Sequence, residues 1–139
     1  MVELALVTPI LLLLILITAD SARVFSAHLS IGNAAREGAS YAARTVDSEC
    51  AEFGDLELHT REAALQEAGS AGTIFGVAPT VDIQWPDYCG QPEPCNDGFE
   101  GFECVRVTVN YQFEPLITFP GLPNQIDIER SAQMRVLNV

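Results

Sequence analysis

The sequence predicts an α+β protein. A long N-terminal helix, apolar at its start, carries a small domain with a short helix and a three-stranded antiparallel sheet packed on the long helix. Three observations predict it. An unbroken apolar run at residues 4–19 passes without a turn signal into a stretch of helical periodicity ending near Arg44. A second helical pattern follows at residues 56–71. Three later stretches alternate apolar and polar residues, the period of half-buried strands. The division is therefore residues 1–48 for the transmembrane and amphipathic helix and 49–139 for an extracytoplasmic α+β domain.

The apolar run (LALVTPILLLLILITA) spans roughly 24 Å as a helix, a little under a bilayer core of about 30 Å, and flanking Met1, Val2, Ala22, Val24 and Phe25 extend it. Three readings compete. A cleaved secretory signal fits the apolar length and the small residues at 19–21, but it calls for a basic start, and the charge before the run is Glu3. A plain transmembrane anchor fits the length, yet the first arginines, Arg23, Arg36 and Arg44, follow the run and give no positive-inside support for a cytoplasmic N-terminus. The third reading is a helix that sits first in a membrane and later in a filament core. Glu3 is the exceptional residue, because a carboxylate at an apolar helix end must reach the interface, pair or take a proton. Either it lies at headgroup level, favoured by the helix dipole, or it meets a cation on a neighbouring subunit. Pro9 removes one backbone donor, which membrane helices tolerate.

Beyond Asp20, small and apolar residues recur with a period near 3.5: Val24, Ala27, Ile31, Ala34 or Ala35, Gly38, Tyr41 or Ala42. Small residues let another backbone approach closely. The chain's own sheet can pack on this stripe, and another subunit's helix can use a second face. Ala27, Ile31, Ala34, Ala35, Gly38 and Ala42 are therefore the candidate assembly residues together with Glu3. His28 lies on or near the stripe and reads as a core or boundary histidine.

Residues 45–54 break the pattern, and the helix at 56–71 follows. Thr60 is its candidate cap and Gly69 and Gly72 its stop. Residues 73–78 read as a connector. The strands are 81–85, 105–113 and 126–136, with Arg130 interrupting the apolar alternation of the last. One wet face apiece makes them antiparallel.

The net charge is −12, with seven arginines and no lysine, which opposes binding to nucleic acid and to anionic lipid. Four cysteines, Cys50, Cys89, Cys95 and Cys104, all follow the apolar run, and an even count in a small exported domain predicts two disulfides. Cys89–Cys95 with Cys50–Cys104 is the first choice among three pairings. Zinc is disfavoured, since there is no CxxC and neither histidine is near the cysteine-rich loop. The loop at 86–103 carries Asn96, Asp97, Glu100 and Glu103, but their spacing is not that of an EF-hand calcium loop. The loop at 115–125 is apolar and proline-rich, and reads as partly buried. No GxSxG, P-loop or HExxH motif is present, so a non-enzymatic protein without cofactor or metal is expected.

Glu3, Pro9, the Asn33–Arg36 segment, Gly38, Ala39, Tyr41 and Ala42, with VRVTVNYQFEPL and the final SAQMRV, resemble the TadE-like family of pilus-assembly pseudopilins. The resemblance implies a minor pilin of the tight-adherence (Flp-type) pilus and secretion system, inserted in the inner membrane with its C-terminal domain extracytoplasmic. It implies other pilin or pseudopilin subunits and inner-membrane assembly proteins as partners. Members usually carry a short leader ahead of the glutamate, and some are processed by a prepilin peptidase, which the resemblance implies as a partner; here two residues precede Glu3, so either the leader was removed or left out of this chain, or processing does not occur. The alternative is a membrane-anchored binding or adhesion module that does not polymerise.

Overall fold

The computed structural model describes residues 2–45, 53–75, 78–85, 104–116 and 124–136. Helix α1 runs Val2–Thr45 and helix α2 Phe53–Phe75, and the strands are β1 (Thr80–Gln84), β2 (Cys104–Phe113) and β3 (Ile126–Arg135). The strands form one antiparallel sheet in the order β1-β2-β3, as the alternation predicts. The register sets Val81 opposite Val109, Val107 opposite Ala132 and Tyr111 opposite Ile128. One face of β2 and β3 packs on α1, and α2 lies beside α1 towards the β1 edge.

The reason for this arrangement is legible in β2. Val105, Val107, Val109, Tyr111 and Phe113 are buried, while the residues between them are at least partly exposed. A period of two puts those five on one face. That face meets the small-residue stripe of α1, where Ala27, Ile31, Ala34, Ala35, Ala39 and Ala42 are buried. Trp85 and Val136 close the core near the strand ends, and Ala64 and Ala68 bring in α2.

Gly38 marks a close approach of three elements. A methyl group built there would stand 3.0 Å from the Ala64 Cβ on α2 and 3.2 Å from a Val107 methyl on β2. Both neighbours belong to regular elements and have little room to give. Gly38→Val is therefore expected to destabilise the domain by about 1–3 kcal/mol through overpacking, read as a lower urea midpoint with an unchanged slope.

Helix α2 differs from expectation at both ends. It begins at Phe53, so Thr60 is an interior residue of the helix, not its cap, and is fully buried. It continues through Gly69 and Gly72 to Phe75, so the glycines do not end it and residues 73–75 are helical, not connector. An interior glycine costs a helix about 1 kcal/mol relative to alanine. Burial of Thr60, Ala64 and Ala68, spaced four apart along one side of α2, offsets that cost.

Candidate functional site

Helix α1 carries the candidate residues, and it falls into two parts. From Glu3 to Ala19 every side chain is exposed, including Leu4, Leu6, Val7 and all the leucines and isoleucines of residues 10–17. Among the described residues, nothing covers this segment. It belongs to a helix long and apolar enough to cross a membrane. Its polar side chains satisfy themselves on the helix: the Thr8 hydroxyl donates to the Leu4 carbonyl at 2.6 Å, Thr18 to Ile15 at 2.8 Å, and Ser21 to Ile17 at 2.9 Å. Such back-bonding removes free hydroxyls from a surface that would otherwise present them to hydrocarbon. Glu3 lies in the first turn, exposed and without a partner among the described residues.

The domain first grips α1 immediately after this run. Arg23 pairs with Asp20 at 2.8 Å, one turn apart. The Asp20 carboxylate accepts the Leu116 backbone N–H at 3.1 and 3.2 Å, and the Arg23 guanidinium lies 5.1 Å from the centre of the Phe113 ring. A carboxylate, a guanidinium and an aromatic ring thus pin the end of β2 to the helix where its apolar run stops.

Inside this collar the Tyr111 hydroxyl is buried with no hydrogen-bond partner among the described residues. Burial pushes its pKa above the usual tyrosine value, Arg23 partly opposes the rise, and Glu114 adds to it. The folded state therefore holds this proton more tightly than the unfolded one. Its contribution to stability is full below the unfolded value of about 10 and is lost as pH rises above it. Tyr111→Phe removes that loss and an unpaired hydroxyl, so it is expected to raise stability at neutral pH by about 1 kcal/mol. It is also expected to flatten the decline above about pH 10. Urea titrations at neutral and alkaline pH read both effects, and a variant as alkali-sensitive as the parent would contradict them.

From Val24 onward α1 has two faces. Ala27, Ile31, Ala34, Ala35, Gly38 and Ala42 all turn inward and are covered by the chain's own α2 and sheet. The face left open carries Phe25 (65% exposed), Leu29 (51% exposed), Gly32, Asn33 and Arg36. A neighbouring helix would therefore meet these residues and not the small-residue stripe. His28 sits at the boundary, as expected, and its Nε2 contacts the Arg130 guanidinium of β3. A guanidinium can only donate, so the imidazole accepts there.

Arg130 was visible in the sequence as the residue that interrupts the alternation of β3, and the structure gives the reason. It occupies a helix-facing position of the strand and reaches His28. On the outer part of the sheet, the Arg106 guanidinium donates to Gln133 Oε1 from Nε at 3.0 Å and from a terminal nitrogen at 2.5 Å.

Cys104 is buried at the start of β2 and is disulfide-bonded. Cys50, Cys89 and Cys95 lie outside the described residues, as do Asn96, Asp97, Glu100 and Glu103 of the loop weighed for calcium and most of the apolar loop after Leu116. Leu116 itself is exposed.

Residues 1–40 match the model of a family described as TadE-like protein, in agreement with the resemblance carried by Glu3, Pro9 and the Asn33–Arg36 segment. At the level of that family, the match points to the Tad pilus system. No curated protein and no solved structure matches the chain.

Proposed function

We propose that this chain is a minor pilin-like (pseudopilin) subunit in the assembly of a tight-adherence type pilus or secretion system. It inserts by residues 3–19 with the α+β domain on the extracytoplasmic side, and it acts non-enzymatically by packing against other pilin or pseudopilin subunits and inner-membrane assembly proteins. The observation that carries the reading is the division of α1. One continuous helix is bare over its apolar third and forms the domain's core over the rest. A helix with those two halves is suited to passing its bare part from lipid to a packed helical bundle without refolding the domain. The family match over residues 1–40 falls on this helix. The extracytoplasmic placement is supported by the disulfide at Cys104, since disulfides persist in oxidising compartments.

The test is replacement of residues 4–19 by an unrelated apolar span of the same length in a strain lacking the native chain. An assembly helix predicts normal membrane insertion and lost piliation. Restored piliation would overturn the proposal and favour a plain anchor carrying a binding or adhesion domain.

A further inference from the structure

The bare run of α1 is shorter than the membrane it enters. Residues 4–19 cover roughly 24 Å of a hydrocarbon core of about 30 Å. With Glu3 at one headgroup layer, the remaining roughly 6 Å falls on Asp20–Arg23, and the opposite headgroup layer of about 5–8 Å takes in the next turn of the helix. Helix α1 is unbroken through this region. The part of the domain bound to it at Asp20 is therefore held at the same depth.

The charges of this end are arranged for such a place. Asp20 and Arg23 are the charged residues of α1 between Glu3 and Arg36. Both are part-buried and they pair with each other. The carboxylate also takes the Leu116 N–H, and the guanidinium lies over the Phe113 ring. Charges at a hydrocarbon boundary are tolerated when paired in this way. The side chains left exposed on the same stretch of helix include Ser21, Ala22 and Phe25. The Ser21 hydroxyl is satisfied on the Ile17 carbonyl.

The apolar side chains of the domain supply the rest. Leu116 is exposed, and its backbone bond to Asp20 puts it level with that residue. Ile126 is exposed at the start of β3, directly opposite Phe113. Phe25 is exposed roughly 9 Å past Ala19. These three form an apolar rim around the helix where its own apolar run gives out. Glu114 and Asp127 follow Phe113 and Ile126 in the strands and so belong to the other side of the pleat, away from α1. Their placement keeps the seat shallow, at headgroup depth, where carboxylates stay solvated.

We propose that this rim is a membrane seat: Phe25, Leu116 and Ile126 enter the headgroup–acyl boundary of the leaflet through which α1 leaves the bilayer. The partner is a zwitterionic phospholipid surface met by apolar contact, because a net charge of −12 gives no attraction to anionic lipid. The inference rests on the membrane insertion in the reading above and not on polymerisation. Its consequence is a fixed height for the domain. Leu29, roughly 15 Å past Ala19, then stands clear of the lipid and open to another subunit.

The full chain reconstituted in phosphatidylcholine vesicles tests this. A single cysteine replaces Leu12, Leu58, Leu116 or Ile126 and carries an environment-sensitive fluorophore, with the parent taken through the same labelling as the blank. Depth is read from quenching by spin-labelled phosphatidylcholines. All four positions are exposed, so melting curves by circular dichroism should match the parent's. The Leu12 label is expected deep in the hydrocarbon, and the Leu116 and Ile126 labels within about 5–8 Å of its edge. The Leu58 label, near the start of α2, is expected to lose no fluorescence to lipid quenchers. Quenching at Leu12 with either rim label out of reach of the lipid quenchers would overturn this inference alone. No quenching at Leu12 would overturn the insertion reading and this one together. Rim labels shielded from lipid in proportion to the protein-to-lipid ratio would mean that a second copy covers the rim, and would also overturn it.

Discussion

Phe113→Ala is expected to destabilise the α+β domain by about 3–5 kcal/mol, a large part of the roughly 5–15 kcal/mol that holds a domain of this size together. Phe113 is fully buried at the end of β2, within the core that joins sheet and helix, and it supports the Arg23 guanidinium that pairs with Asp20. Truncation would remove the ring from the core and the platform from the collar together. The protein's single tryptophan, Trp85, is buried in the same core and reports unfolding by its fluorescence. Leu116→Ala is the control: it lies three positions on, is 66% exposed, and should change stability by no more than about 0.5 kcal/mol. Equal effects of the two substitutions would contradict the packing of β2 against α1.

Glu3→Gln carries the largest expected functional effect. In the isolated chain Glu3 is exposed at the bare end of α1 with no partner among the described residues. Packed among other apolar helices, an ionised carboxylate without a cation would cost several kcal/mol. The neighbouring subunit's terminal amine is a suitable partner. Glutamine keeps the shape and removes the charge, so the variant should insert and accumulate in the membrane like the parent while piliation is lost. Piliation and membrane level scored in the same complemented strain separate pairing from anchoring. A headgroup-level glutamate with no partner predicts that both survive, and normal piliation by the variant would end the pairing idea.

The elements legible in the sequence were those whose burial repeats regularly. Valine, tyrosine and phenylalanine at every second position of β2 announced a half-buried strand, and β2 spans Cys104–Phe113 with those side chains inward. The long helix was legible because an apolar run continued into a small-residue stripe without a turn signal, and α1 is continuous over Val2–Thr45. Helix α2 was less so. Its start was hidden because Thr60 has the chemistry of a cap and the packing of a core residue, and its end because Gly69 and Gly72 lie within it. Local propensity lost to a buried face there. The stripe itself was legible as a packing surface, but its occupant was not. Whether alanines on a helix face the chain's own sheet or a neighbour's helix depends on contacts remote in sequence, such as Gly38 against Ala64 and Val107. The contact between β3 and α1 shows the same limit. Arg130 stood out as a break in β3, and the residue that explains it, His28, is 102 positions away.

The most direct test of an assembly role is a photo-crosslinking amino acid placed on the two faces of α1 in piliated cells. The account predicts crosslinks from Leu29, on the open face, to another pilus subunit in the assembled state, and none to other chains from Ala35, which the chain's own core covers. Intermolecular crosslinks from Ala35, or none from Leu29 in cells that assemble pili normally, would contradict it.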